Sequence, residues 1–249
     1  MFDKGRILAF HQTSEKYYPG INNIKPGYFF AVLKLIEECG YCFWNEKAEP
    51  SKDSAIITFD DGYEDNYDVL LELCRRMITP VVFIPTDYIG KTNSWDYSSS
   101  LFKARHLSSA QITKLAGAGV KFGSHGASHR ALTKLTPEIL SKELTNSKNI
   151  LEDITGKSVN GLSYPFGRYN KVVTFTALET GYNYGVALDK PLISIDHDSF
   201  TLFRTPLYRI DDYFSILSKL KHNSKLETRK NNIINALASG TIITGGRIK

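Results

Sequence analysis

The amino-acid sequence predicts an α/β fold in which parallel strands are joined by helices and close into a barrel. Short apolar runs of strand length alternate with longer segments whose apolar residues recur at helical spacing. This repetition is typical of parallel sheets with crossover helices. In addition, polar residues follow directly after several predicted strands. In a barrel these positions meet at one face, the C-terminal mouth, where active sites collect.

The predicted elements follow one another in a regular order. Strands are predicted at residues 6–10, 55–59, 80–84, 120–123, 161–164 and 184–187. Helices are predicted at residues 28–38, 66–77, 108–116, 137–154, 170–179 and 211–220. Cap residues support these bounds: Ser108 or Ser109 can cap the third helix, Thr136 precedes Pro137 at the start of the longest helix, and Gly181 closes the next.

The composition is that of an ordinary globular protein with one large core. The chain has 249 residues, of which 42% are hydrophobic and 23% are charged. No apolar run approaches the roughly 18 residues of a transmembrane helix, and the N-terminus lacks a signal-peptide pattern. Cys39, Cys42 and Cys74 are too few for a disulfide framework. We therefore expect reduced thiols and a cytoplasmic location.

Positive charge concentrates at the end of the chain. The net charge is +5, and residues 219–249 contain seven basic residues but only Glu227 as an acid. We predict a catalytic domain over residues 1–222 and a basic tail over residues 223–249. The tail has no interleaved aromatic residues, so no nucleic-acid partner is expected. A solvated surface and a weak contact with an anionic membrane or glycolipid are the two interpretations of this tail.

The most informative residues are two adjacent aspartates, Asp60 and Asp61, at the end of a predicted strand. Asp-Asp-Gly can simply form a turn. However, His125 and His129 lie four residues apart in a glycine-containing segment after another strand. Two imidazoles and one carboxylate make a three-ligand metal site with open positions. The second carboxylate then remains free to act as a base. A non-haem Fe(II) oxygenase also uses two histidines and one carboxylate, but the alternation of strands and helices argues against it.

These segments resemble the polysaccharide deacetylase family, carbohydrate esterase family 4, also called the NodB-homology domain. The first motif is Thr-Phe-Asp-Asp-Gly at 58–62, and the second is His-Gly-Ala-Ser-His at 125–129, with Gly126 in place of a hydroxyl residue. The third motif is similar to Ser-Tyr-Pro-Phe-Gly at 163–167. The resemblance extends over about residues 7 to 220. It implies a distorted (β/α) barrel of about seven parallel strands with the active site at the C-terminal mouth.

The resemblance also implies roles for matching residues. Asp60 would be the general base, and the metal ligands would be Asp61, His125 and His129. Phe166 would offer its backbone N–H to an oxyanion, while Tyr164 and Pro165 would shape that loop and contribute to substrate binding.

Two departures from the family pattern leave alternatives open. The arginine that steadies the base falls on Leu162 here, so Arg204 is a candidate substitute, with an ordinary surface arginine as the other interpretation. For the general acid, His11 at the end of the first strand is preferred over His197, which lies in a polar turn. An early histidine in this role is similar to the poly-N-acetylglucosamine deacetylase branch. The alternative is that His11 is only a structural residue of the barrel rim.

The implied activity is metal-dependent removal of an N-acetyl group from an amino sugar or glycan precursor, with release of acetate. The cofactor would be a divalent ion, Zn²⁺ first and Co²⁺, Ni²⁺ or Fe²⁺ as alternatives. A nucleotide-linked sugar, a lipid-linked glycan or a small amide would suit a cytoplasmic enzyme of surface-polysaccharide biosynthesis or modification. The alternative is a non-catalytic sugar-binding protein that retains the fold.

Overall fold

The computed structural model describes residues 5–94, 103–188 and 199–221, together with Lys230 and Ile234. Within these residues the strands are β1 Arg6–Phe10, β2 Gln12–Thr13, β3 Asn23–Ile24, β4 Cys42–Phe43, β5 Ser54–Phe59, β6 Val81–Ile84, β7 Lys121–Ser124, β8 Gly161–Ser163, β9 Tyr184–Ala187 and β10 Leu202–Pro206. The helices are α1 Pro26–Glu38, α2 Tyr67–Arg75, α3 Ser109–Ala118, α4 Pro137–Thr155, α5 Lys171–Glu179 and α6 Tyr213–Lys221.

Seven of these strands close into an all-parallel barrel. Their order is β1, β10, β9, β8, β7, β6 and β5, and β1 also pairs with β5, with Ile7 opposite Ile56. Strand β4 extends the sheet beside β5, while β2 and β3 form a separate parallel pair. The predicted distorted (β/α) barrel of about seven parallel strands is confirmed.

The alternation of side chains along the strands divides the core into two parts. Ile7, Ile56, Val81, Phe83 and Val186 belong to a small cluster that fills the barrel interior. The intervening strand residues pack outward with the apolar stripes of the helices in a much larger cluster. Because side chains alternate along a strand, the interior face of β5 passes from Ile56 to Thr58 and continues to Asp60.

The helices begin and end where local side chains satisfy their free backbone groups. Ser108 and Gln111 form a capping box at the start of α3. Thr136 caps α4, with Pro137 as its first residue, as the sequence predicts. Asn170 accepts a hydrogen bond from the Val173 N–H at the start of α5. None of the described helices is long and apolar enough to cross a membrane.

One barrel strand, β10, was not predicted from the sequence. Its segment, Leu-Phe-Arg-Thr-Pro, contains a buried charge at Arg204 and ends on Pro206. Neither residue is typical of a central strand. The short strands β2, β3 and β4 were also missed, whereas the other strands and all six helices match their predicted positions to within about two residues at each end. Cys39, Cys42 and Cys74 are free thiols in the structure.

A buried ion pair joins the end of β10 to α6. The Lys219 ammonium donates to Asp211 Oδ2 at 2.6 Å and to the Pro206 carbonyl at 2.9 Å, and both charged side chains are buried. Lys230 donates to the other carboxylate oxygen at 2.6 Å. Lys230 belongs to the predicted basic tail, most of which lies outside the described residues, so the division at residue 222 stays a prediction.

We expect Asp211→Asn to lower the free energy of unfolding by about 3 kcal/mol or more, because removing one partner leaves buried ammonium charge uncompensated. Urea denaturation measures this change. Asp212→Asn is the matched control: Asp212 Oδ1 accepts from the Ser215 N–H, and Asn caps a helix about as well as Asp. Equal stability of the two variants would contradict the assigned role of the pair.

Candidate active site

The two adjacent aspartates leave the end of β5 in different directions. The Asp60 N–H donates to the Phe10 carbonyl at 3.0 Å, so Asp60 continues the pairing with β1 and directs its side chain into the barrel mouth. Asp61 has a φ of 67° and the following Gly62 a φ of 61°. A Cβ on Gly62 would lie 2.2 Å from Ile84 Cδ1. Glycine at position 62 therefore allows the turn that separates the two carboxylates without backbone strain and without displacing Ile84.

The two histidines of the second motif converge on Asp61. His125 follows β7 directly, and the loop turns back so that the two imidazole centroids lie 4.9 Å apart. Asp61 Oδ1 lies 3.2 Å from His129 Nε2 and 3.6 Å from His125 Nε2. The ligand atoms of these three buried residues all lie within 4.8 Å of one another. The structure thus brings together the three side chains predicted to hold a metal.

The donor atoms fit a divalent cation. The His125 Nδ1 lies 2.8 Å from the Ser163 carbonyl. A carbonyl only accepts, so Nδ1 carries the hydrogen and the Nε2 lone pair faces Asp61. Asp61 Oδ1 is buried and has no hydrogen-bond partner among the described residues. A buried acceptor between two imidazole nitrogens is the arrangement that Zn²⁺ and similar ions favour.

The electrostatics keep these residues ready to bind a metal at neutral pH. Burial lowers the pKa of His125 to about 4, so the ring is neutral. Burial by itself raises the pKa of Asp61, but His129, with smaller contributions from His11 and His125, lowers it below its usual value. A neutral imidazole and an ionised carboxylate are the ligand forms that metal binding requires.

The Arg204 guanidinium holds the other carboxylate. It donates to both oxygens of Asp60, at 2.7 and 2.6 Å, and also to Ser163 Oγ at 2.9 Å and Thr58 Oγ1 at 3.1 Å. Arg204 is only 3% exposed, so it is not a surface arginine. Burial would raise the pKa of Asp60, but the adjacent guanidinium outweighs this and lowers it. Leu162, which occupies the position of the family's arginine, packs in the large hydrophobic cluster between the strands and the helices.

His11 follows β1 at the same mouth and is half-buried. Its carbonyl accepts from Asn66 Nδ2 at 2.7 Å, and Asn66 Oδ1 accepts from the Thr13 N–H at 2.7 Å. This fully buried amide ties the segment that carries His11 to the loop after Asp60 and Asp61. His11 is close enough for its charge to lower the pKa of both aspartates. The alternative acid, His197, lies outside the described residues.

The third motif forms a tight turn against the histidines. Phe166 has a φ of 59°, and its ring centroid lies 4.9 Å from that of His129. The Gly167 and Arg168 N–H groups donate back to the carbonyls of Tyr164 and Pro165, and proline has no N–H. No described residue accepts from the Phe166 N–H, which makes it the amide of this turn available to a ligand.

Tyr164 supports this turn from inside the protein. Its ring is buried, its hydroxyl donates to the Phe200 carbonyl at 2.8 Å, and its N–H donates to the Val186 carbonyl at 3.1 Å. Tyr164 therefore supports the loop through buried contacts, and its contribution to substrate binding stays a prediction.

Several residues of the site were not identified from the sequence. The imidazole of His106 is buried, stacks on Tyr63 with centroids 5.0 Å apart, and places Nδ1 2.7 Å from the Asp61 carbonyl. This contact supports the unusual backbone conformation of Asp61. His106 stands in no recognisable motif, so no sequence signal points to it. For Asn66 the sequence carries a weak signal, because this residue ends the segment Tyr-Glu-Asp-Asn that directly follows the first motif.

Comparison with known proteins identifies the family. Residues 47–185 match the family model described as polysaccharide deacetylase. Since this match covers more than half of the chain, the protein belongs to the polysaccharide deacetylase family, and the prediction made from the three motifs is confirmed at that level.

Relatives and solved structures agree with this assignment. The chain is 32% identical over 186 residues to YxkH of Bacillus subtilis, a protein provisionally named a polysaccharide deacetylase; the aligned region covers 71% of this chain and 62% of YxkH. The Streptococcus pyogenes deacetylase PplD has a TM-score of 0.71 at 21% identity, covering 87% of this chain and 98% of PplD. IcaB from Ammonifex degensii has a TM-score of 0.69 at 16% identity, covering 88% and 96%. At these identities the two structures show a shared fold.

We expect Arg204→Met to lower the free energy of unfolding of the metal-free protein by about 3–5 kcal/mol at pH 7, because it leaves Asp60 buried without its partner. In the wild type the pKa of Asp60 is lower in the folded than in the unfolded protein. The stabilisation by the Asp60–Arg204 pair is therefore complete above the unfolded pKa of about 4 and is lost as the pH falls further. In the variant, burial raises the pKa of Asp60. The difference between the two proteins should therefore shrink on acidification, as followed by urea unfolding at several pH values.

Arg209→Met is the control for this experiment. Arg209 is an exposed arginine on the segment after β10, and its guanidinium lies 5.8 Å from the centre of the Tyr17 ring. Because an exposed contact of this kind contributes little, its replacement should change stability by less than about 1 kcal/mol. In an Asp60→Asn background, the pH dependence of the Arg204→Met effect should vanish. A destabilisation that is the same at all pH values would contradict the proposed effect of Arg204 on Asp60.

Proposed function

We propose that the protein is a metal-dependent hydrolase that removes the N-acetyl group of an amino sugar in a glycan or glycan precursor and releases acetate. One observation carries the proposal. The ligand atoms of Asp61, His125 and His129 lie within 4.8 Å of one another, while the adjacent carboxylate of Asp60 is bound by Arg204 instead. The site thus combines a place for a cation with a separate ionised base.

A bound divalent metal would polarise the acetyl carbonyl and lower the pKa of an adjacent water toward about 7, which suits a base of low pKa. Asp60 accepts a proton from the water as its oxygen attacks the carbonyl carbon. Arg204 keeps Asp60 ionised and oriented, since its planar guanidinium engages both carboxylate oxygens. The pair is anchored further by Ser163 and Thr58.

Attack converts the amide carbonyl into a tetrahedral oxyanion. In our proposal the Phe166 N–H donates to this oxygen. The neighbouring Gly167 and Arg168 N–H groups are already used by the turn, whereas the Phe166 N–H has no acceptor among the described residues. Losing one donor of this kind typically costs about 100- to 1000-fold in rate.

The amine cannot leave as an amide anion, so an acid must protonate it. We assign this role to His11: protonated, it gives its proton to the amide nitrogen as the carbon–nitrogen bond breaks, and the products are a free amine and acetate. Its position at the end of β1, half-buried at the mouth and tied by Asn66 to the aspartate loop, supports this assignment. The same role would place the protein with the poly-N-acetylglucosamine deacetylase branch.

Asp60→Asn should lower acetate release from N-acetylated chitooligosaccharides by about 100- to 10,000-fold, because it removes the base. Its metal content, measured by elemental analysis after loading with Zn²⁺, should stay near that of the wild type. Asp68→Asn, on the exposed side of α2, is the control and should keep full activity. Wild-type activity in Asp60→Asn would refute the base role. If the wild type itself released no acetate, a non-catalytic sugar-binding protein would be favoured.

His11→Ala should reduce amide hydrolysis far more than His197→Ala. The defect should be smaller with 4-nitrophenyl acetate, whose leaving group departs without protonation. Steady-state kinetics on both substrates measure this contrast, which a merely structural role of His11 would not produce. The reverse order of the two variants would assign the acid role to His197.

A further inference from the structure

We propose that Glu143 of α4 is a positioning residue for the metal ligands: its carboxylate fixes the loop between His125 and His129 and so sets the separation of the two imidazoles. The inference rests on the metal site of the proposed function, but concerns a residue that lies outside all three motifs.

The contacts are concentrated on one oxygen. Glu143 Oε1 accepts from the Ala127 N–H at 2.9 Å, the Ser128 N–H at 2.6 Å and the Ser128 hydroxyl at 2.8 Å. Ala127 and Ser128 are the two residues that directly precede His129. Three donors on one carboxylate oxygen form charge-assisted bonds, which are about twice as strong as neutral ones.

The same helix holds the start of the loop. Ser147, one turn after Glu143, is fully buried, and its hydroxyl lies 2.6 Å from Ser124 Oγ. Ser124 Oγ in turn accepts from the Gly126 N–H at 3.0 Å. Residues four apart lie on one face of a helix, so a single face of α4 contacts the loop on both sides of Gly126.

Gly126 is explained by this arrangement. Its φ is 72°, and a Cβ at this position would lie 3.1 Å from Glu143 Oε1. A side chain would strain the backbone and crowd the carboxylate. The glycine that departs from the family pattern at this position therefore leaves room for the Glu143 carboxylate.

The expected consequence is a change in metal affinity. When the loop is held in place before binding, the ion does not have to order it, whereas a free loop makes each binding event include that entropy cost. Removing residues that orient metal ligands typically weakens metal binding about 10- to 100-fold. Glu143 is not among the three residues whose ligand atoms lie close enough together to hold an ion, so its contribution is made through the loop.

The test measures the dissociation constant for Zn²⁺ by competition with a chromophoric chelator, in the full chain and without substrate. Glu143→Gln keeps the size of the side chain and removes its charge, and it should bind Zn²⁺ about 10- to 100-fold more weakly. Ser128→Ala removes one of the three bonds and should weaken binding several-fold. Asp153→Asn removes an exposed carboxylate of the same helix and should bind as the wild type does.

Hydrogen exchange of the metal-free proteins separates positioning from general stability. Residues 125–129 should exchange faster in Glu143→Gln, while the strands of the barrel keep wild-type protection. Wild-type Zn²⁺ affinity in a folded Glu143→Gln protein would overturn the inference. If that variant does not fold, Ser128→Ala decides: weaker binding supports the inference and unchanged binding overturns it. Failure of the wild type to bind any metal would instead refute the proposed function.

Discussion

The site depends on separating two carboxylates that are neighbours in the chain. Two buried like charges this close would drive one of them to take up a proton. The backbone prevents this by turning at Asp61 and Gly62, so that the two carboxylates lie against different side chains. Asp60 meets a guanidinium and Asp61 meets two imidazoles. Both remain ionised in an environment that would otherwise favour the neutral acid, and this is what allows one to bind a cation and the other to act as a base.

The barrel supplies the partners because closure makes distant strands neighbours. Strand β10 lies beside β1, and β1 lies beside β5. Arg204 on β10 therefore reaches Asp60 after β5, although 144 residues separate them. The alternation of side chains along β5 adds a second condition, since Ile56, Thr58 and Asp60 share the interior face and the apolar filling of the barrel gives way to polar residues at the mouth.

Much of the architecture was accessible from the sequence, and particular elements show why the rest was not. The six strands that were predicted are short runs between turn signals, and the helices carry clear apolar stripes with caps at Ser108 and Thr136. Strand β10 has no such pattern because its central residue, Arg204, is a buried charge whose presence depends on a partner elsewhere in the chain. Glu143 and Ser147 look like ordinary polar residues of an amphipathic helix, and only packing shows that they face inward.

The sequence by itself determined the chemical types of the site residues, their order along the chain and the family to which the protein belongs, because these are carried by short motifs whose residues are close together. It also determined the parallel barrel, since alternation of strands and helices has few compact solutions. Only the tertiary structure decided that Arg204 binds Asp60 in place of the family's arginine, whose position is taken by Leu162. It also decided that Asn66 hydrogen-bonds the segment of His11 and that α4 supports the loop between His125 and His129. These contacts join residues far apart in the chain, and their distances are set by how the strands and helices pack rather than by any local pattern.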